Sequence, residues 1–148
     1  MDQALNGIRI IDLTQFEAGT SCTEMLAWLG ADVIKVERPD VGDDMRLTPP
    51  FIAGESAPFM LANRNKRSAI LDLKTPDGLA AFERLVVDAD ILIENFKPGT
   101  AARIGVGYQA MQALNPRLIY CSITGFGQTG PYAKRGGFDL ISQAMTGL

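Results

Sequence analysis

The sequence predicts an α/β fold: an open, mostly parallel sheet with helices flanking it. Three observations predict it. Short apolar runs with strand character alternate with segments of helical periodicity along the chain. Capping and breaking residues stand where one kind of segment gives way to the other. The chain has 148 residues, 47% of them hydrophobic, which is enough for one domain with a real core.

The elements come in the following order. Ile8 to Leu13 reads as the first strand. Ser21 and Glu24 have capping-box spacing, with Met25, Leu26 and Leu29 on one helical face and Gly30 as the helix exit. Val33 to Val36 is the second strand and Ser68 to Leu73 the third. Thr75-Pro76-Asp77 caps a helix whose stripe is Leu79, Phe82, Leu85 and Val86. Ile91 to Ile93 is the fourth strand, Tyr108-Met111-Leu114 a short helix, and Leu118 to Ile123 the fifth strand. The connection from Pro39 to Arg67 is far longer than usual and holds one short helix near Phe59 to Asn63. Phe138, Ile141 and Met145 begin a last amphipathic helix. The expected architecture is therefore a Rossmann-like sheet with flanking helices, residues 1–148 forming the incomplete N-terminal part of a larger domain.

Composition narrows the function classes. A net charge of −3 argues against broad nucleic-acid binding. No apolar run approaches a membrane span, and Met1-Asp2-Gln3-Ala4 lacks the features of a signal peptide. Cys22 and Cys121 are expected to be buried free thiols, which places the chain in the cytoplasm. With no histidine, the usual zinc sites and histidine-based triads are excluded within the chain, and no metal site is expected.

Gly125, Gly127 and Gly130 spell G-x-G-x-x-G after the fifth strand. Pro131 comes directly after, and Gly136 and Gly137 delay the next helix, so this is a mobile glycine-rich loop and no dinucleotide fingerprint. P-loop and nucleophile-elbow motifs are absent from the sequence. In open α/β sheets, ligands collect at the carboxyl ends of strands. Those positions hold Gln15 to Gly19, then Glu37-Arg38, Leu71 to Lys74, Asn95-Phe96 and Arg103. Glu37 suits a ribose hydroxyl and Arg38 a ribose phosphate. Phe96 is placed either to offer a flat face to an adenine or to join the core. Arg38, Arg64, Lys66, Arg67, Lys74 and Arg103 together point to a polyphosphate ligand in a protein that is acidic overall. The residues alone lead to a nucleotide-ester binder, either part of an enzyme or a non-catalytic nucleotide-binding domain.

Seven motifs in order carry a resemblance. They are L-x-G-I-R-I-I-D-L-T from Leu5, E-A-G from Glu17, L-G-A-D-V-I-K-V-E from Leu29 and N-x-N-K-R-S from Asn63. E-N-F-K-P-G from Glu94, N-P-R-L-I-Y from Asn115 and G-F-G-Q-T-G-P-Y from Gly125 complete the set. The chain resembles the N-terminal part of class III CoA-transferases, the formyl-CoA and carnitine-CoA transferase family. The resemblance implies transfer of coenzyme A between carboxylic acids, with acyl-CoA as substrate and no separate cofactor. It implies CoA contacts at Phe16, Glu17, Ala18, Arg38, Leu71 to Lys74, Asn95, Phe96 and Arg103. It also implies an interlocked homodimer, and a nucleophilic aspartate beyond position 148, so no catalytic residue is assigned within the chain. A sister branch racemises 2-methylacyl-CoA esters with a histidine before an aspartate. That pair reads Phe138-Asp139 here, and a phenyl ring relays no proton.

Overall fold

The structure, a computed structural model, describes residues 3–148. β1 (Arg9–Asp12) leads to α1 (Thr20–Trp28) and β2 (Asp32–Glu37). The long connection holds a 3-10 turn (Asp44–Leu47), a hairpin of β3 (Phe51–Ile52) and β4 (Glu55–Ser56), and α2 (Ala57–Ala62). Then come β5 (Arg67–Ile70), α3 (Pro76–Val87), β6 (Ile91–Glu94), α4 (Thr100–Arg103), α5 (Tyr108–Leu114), β7 (Ile119–Ser122) and α6 (Asp139–Thr146). Among the described residues no helix is long and apolar enough to cross a membrane.

The main sheet has the order β5-β2-β1-β6-β7, and every neighbouring pair is parallel. The five expected strands are thus the five strands of this sheet, while the hairpin has no counterpart among them. Alternate residues of the central strands serve two cores. Ile11, Leu13, Ile34, Val36 and Leu92 pack with Phe82 and Val86 of α3 and Met111 of α5. Ile10, Val33 and Ile93 pack on the opposite side with Ala27 of α1. The chain therefore crosses the sheet between β5 and β6. The loops after β1 and β6 diverge to opposite faces, which is the switch point where such sheets open a crevice.

Local chemistry explains the helix ends. The Thr75 hydroxyl accepts from Gly78 N at 3.1 Å, and Pro76 stands at the first turn of α3, where its missing N–H costs nothing. Gly30, at φ 103°, ends α1: its N–H reaches Ala27 O and that of Ala31 reaches Leu26 O, the Schellman pattern.

The start and facing of α1 differ from expectation. Gly19 occupies the N-cap and no side chain caps the helix. The Ser21 hydroxyl instead donates back to Glu17 O, and Glu24 is bonded by Arg64, so there is no capping box. The buried residues are Thr20, Thr23, Glu24 and Ala27; of the expected face, Leu26 packs against the core while Met25 and Leu29 are exposed. A small, polar inward face suits a helix whose first turn must meet the buried carboxylate of Asp12. Cys22 is exposed and Cys121 half-buried, so the expectation of two buried thiols fails; both are free.

Candidate functional site

At the carboxyl edge of the sheet the loop from Thr14 to Gly19 is fastened by side chains from several elements. Thr14 N donates to Asp12 Oδ1 at 2.8 Å, and Lys35 Nζ donates to Thr14 O at 2.7 Å. Gln15 N donates to Asn95 Oδ1 at 2.9 Å, while Asn95 Nδ2 donates to both Gln15 O and Ala18 O. Phe16 N donates to Asp43 Oδ1 at 3.1 Å. Phe16 itself has φ 56°, a left-handed conformation that an aromatic residue adopts only when its surroundings hold it there. Asn95 thereby bridges the two loops that diverge at the switch point. The loop is rigid in backbone, and the exposed side chains of Phe16 and Glu17 stand at its rim.

Beneath it lies a buried ionic network that the sequence motifs do not reveal. Asp12 is fully buried and accepts four bonds: Thr14 N and Oγ1 on one oxygen, Thr23 Oγ1 and Lys66 Nζ on the other. Lys35 pairs with Asp43 at 2.8 Å, the two side chains 2% and 0% exposed. Asp43 Oδ2 meets that ammonium as an ion pair without hydrogen-bond geometry, and Thr20 Oγ1 is buried with no partner. Burial lowers the Lys66 pKa, an effect that the Asp12 carboxylate opposes. Alternation does offer a signal, since Asp12 and Lys35 interrupt otherwise apolar strands.

The residues expected as ligand contacts sort into groups. Phe16, Glu17 and Ala18 lie on the clamped loop, next to Asn95. Both amide donors of Asn95 are engaged by loop carbonyls, so its side chain has none left for a ligand. Arg38 comes after β2 and is exposed, pairing with Asp44. Leu71 is half-buried, its N–H on Glu37 O, and Lys74 is exposed beyond it. Phe96 packs against the core that contains Leu92, with its N–H on Glu94 Oε2, so it is at least partly a core residue. Arg103 ends α4, exposed, beside the Thr100 hydroxyl.

Two expectations at this edge are corrected. Glu37 is buried and takes Arg46 through both oxygens, at 2.7 and 2.8 Å, together with Ser68 Oγ and Asp43 N. It is not free for a ribose hydroxyl. Of the six basic residues, three serve the fold. Arg64 bonds Glu24 and lies over the Trp28 ring, Lys66 is buried on Asp12, and Arg67 binds Asp32 at the amino end of the strands. All three precede or begin β5, so none lies beyond a strand end.

The glycine-rich loop is more knit than a mobile segment would be. Gly125 and Gly137 face each other so closely that a Cβ on either would overlap the other's backbone. Phe126 and Tyr132 meet edge to face at 5.8 Å, with the Arg135 guanidinium over Tyr132. Gln128 Nε2 donates to Ser122 Oγ at 2.7 Å, and Ser122 Oγ donates to Glu94 Oε1. The loop thus overhangs a cleft of about 340 Å³ lined by Glu94, Ala101, Tyr108 and Tyr120, and a second of about 630 Å³ lined by Pro98, Gly99 and Lys134.

This edge offers exposed cations, a rigid loop and clefts beside the switch point. The model of the family described as CoA-transferase family III matches residues 5–148. The chain belongs to that family. Within CoA-transferase family III, a succinate–glutarate CoA-transferase from Agrobacterium fabrum is 53% identical over 151 residues, taking in 97% of this chain and 38% of that protein. A formyl-CoA:oxalate CoA-transferase from Rhodopseudomonas palustris is 45% identical, over 99% of this chain and 34% of that protein. The crystal structure of a CAIB/BAIF family protein from Brucella suis superposes with a TM-score of 0.94 at 45% identity, covering 99% of this chain and 40% of that one. The chain spans little more than a third of the length of these relatives.

Proposed function

We propose that this chain supplies the CoA-binding part of an enzyme that transfers coenzyme A from an acyl-CoA to a free carboxylic acid. The observation that carries the reading is the arrangement of Lys74, Arg38, the clamped Phe16–Ala18 loop and Phe96 after adjacent parallel strands. Their order along the edge is that of β5, β2, β1 and β6. Parallel strands lie about 4.8 Å apart, so this edge extends over roughly 15 Å, a length that suits a nucleotide with its pantetheine arm. Lys74 and Arg38 at one side and Arg103 at the other would take phosphates, with Phe96 and Leu71 against the apolar parts.

The names of the relatives support small carboxylic acids as the acids exchanged, succinate and glutarate in one and oxalate with a formyl donor in the other. CoA enters as a substrate and the reaction needs no separate cofactor. The reading further includes a cytoplasmic homodimer with no nucleic-acid or membrane partner, and a nucleophilic carboxylate from sequence outside this chain. The test uses the protein expressed from its complete gene. Incubated with succinyl-CoA and labelled glutarate, it should form labelled glutaryl-CoA with release of succinate. CoA that binds without any exchange across a panel of dicarboxylates and oxalate would leave a binding domain only.

A further inference from the structure

The end of the long connection meets the end of β1 and the first turn of α1 through one buried side chain, Lys66. Its ammonium donates to Asp12 Oδ2 at 3.0 Å, Thr20 O at 2.9 Å and Asn63 Oδ1 at 2.9 Å. An ammonium has three protons, so all its donors are engaged. The side chain is 1% exposed. Lys66 is therefore neither a phosphate ligand nor a proton donor to substrate.

Its three acceptors belong to three separate pieces: the end of β1, the first turn of α1, and the residue after α2. The backbone arrives at this position under constraint, since Asn65 has φ 64° and Lys66 N donates to Asn63 O. What is held is the uncapped start of α1, where the Ser21 and Thr23 N–H groups reach Glu17 O and Gly19 O, those of Thr20 and Cys22 have no such carbonyl among the described residues, and the Thr20 hydroxyl is buried unpaired. Glu17 stands exposed beside that turn, which disfavours a phosphate there. A neutral thioester carbonyl is tolerated beside that carboxylate where a phosphate is not, and its oxygen can accept from such amides.

We infer that Lys66 is a positioning residue, whose buried ammonium fixes the first turn of α1 against the end of β1 for the acyl end of a CoA ester. The inference rests on the transferase reading above. Lys66 touches no substrate; it acts through the Thr20 carbonyl and the Asp12 carboxylate.

The test compares Lys66→Met with Lys66→Arg in the protein expressed from its complete gene. The arginine variant keeps the charge that Asp12 needs and serves if the methionine variant does not fold. Misplacement of a reacting group by about 1 Å can cost about 100-fold in rate. The expected result is a fall in kcat of about tenfold to 100-fold. Affinity for adenosine 3′,5′-bisphosphate, which lacks the acyl end, should stay within roughly twofold. Hydrogen exchange at Thr20–Glu24 should accelerate while that of β6 holds its rate. Unchanged kcat in a folded variant, or exchange accelerated equally in β6, would overturn the inference. If the wild-type protein exchanges no acyl groups, the transferase reading fails. The local exchange result then still decides whether Lys66 fastens α1, and no acceleration there sinks it.

Discussion

Burial alone would push the Glu37 carboxyl up, yet the Arg46 guanidinium, the Ser68 hydroxyl and the Asp43 amide together bring its pKa down to about 2. Arg46 also lies over the Phe59 ring, so the pair links β2 to both the 3-10 turn and α2. A carboxyl with a depressed folded pKa stabilises the fold fully above its ordinary value of 4.5, and that contribution is lost as the pH falls through about 2. The difference corresponds to about 3 kcal/mol. Urea unfolding followed from neutral pH to below 3 should show this loss in the wild-type protein. Glu37→Gln should be less stable at neutral pH by about 3 kcal/mol or more, because Arg46 is left unpaired, and should show a shallower dependence across the acid range. Equal slopes for the two proteins would contradict this account of Glu37. A strand-end acid next to an arginine carries no sign that the acid is already bound, because its partners lie 6, 9 and 31 residues away.

The glycine-rich loop shows the same point for an element. Its glycines permit two kinds of geometry that the sequence does not distinguish: left-handed turns at Gly127 and Gly130, and a backbone crossing at Gly125 and Gly137. The crossing makes a neck, and within the loop the edge-to-face contact of Phe126 and Tyr132 ties its two limbs together. Gly125→Ala should force the neck apart, because the added methyl meets backbone and no flexible side-chain end. The expected outcome is a fall in kcat/KM for acyl exchange of about tenfold or more, from loss of geometry at the cleft. Affinity for adenosine 3′,5′-bisphosphate should remain, as should most of the melting temperature. Undiminished kcat/KM would show that the loop is an ordinary surface turn.

α1 is the helix whose facing is least legible in the sequence. Its apolar residues suggest an inward face of Met25, Leu26 and Leu29; Leu26 does pack inward, but Met25 and Leu29 are exposed, the buried ionic network draws Thr23 inward, and Ala27 meets the sheet. Periodicity finds the greasy side of a helix. It cannot see a carboxylate waiting on the sheet beneath.

For the whole molecule, the five parallel strands and their helices are legible because alternation, caps and breakers all operate within a few residues. Thr75 and Gly30 do what their positions announce. The crossing of the sheet between β5 and β6 and the placing of Asn95 against Gln15 depend on residues 80 apart. No local pattern carries that information. In the exposed half of the candidate site, Arg38 and Lys74 are legible because they follow the carboxyl ends of β2 and β5, while Arg103 closes α4. The site's buried half, Asp12, Lys35 and Lys66, lies within or before strands, and its one cue is the charge of Asp12 and Lys35 among apolar strand residues.

The central claim is that this edge of the sheet holds the phosphorylated nucleotide of CoA, and calorimetric titration tests it most directly. The wild-type protein should bind CoA, and should bind dephospho-CoA more weakly. Charge-assisted contacts contribute about 1.5–3 kcal/mol each where partly shielded, so removing Arg38, Lys74 and Arg103 together by alanine substitution should weaken CoA binding at least about tenfold. The loss should be greatest at low salt, where exposed charges are least screened. A triple variant that remains folded and binds CoA as tightly as the wild type, with no preference for the 3′-phosphate, would place the nucleotide elsewhere.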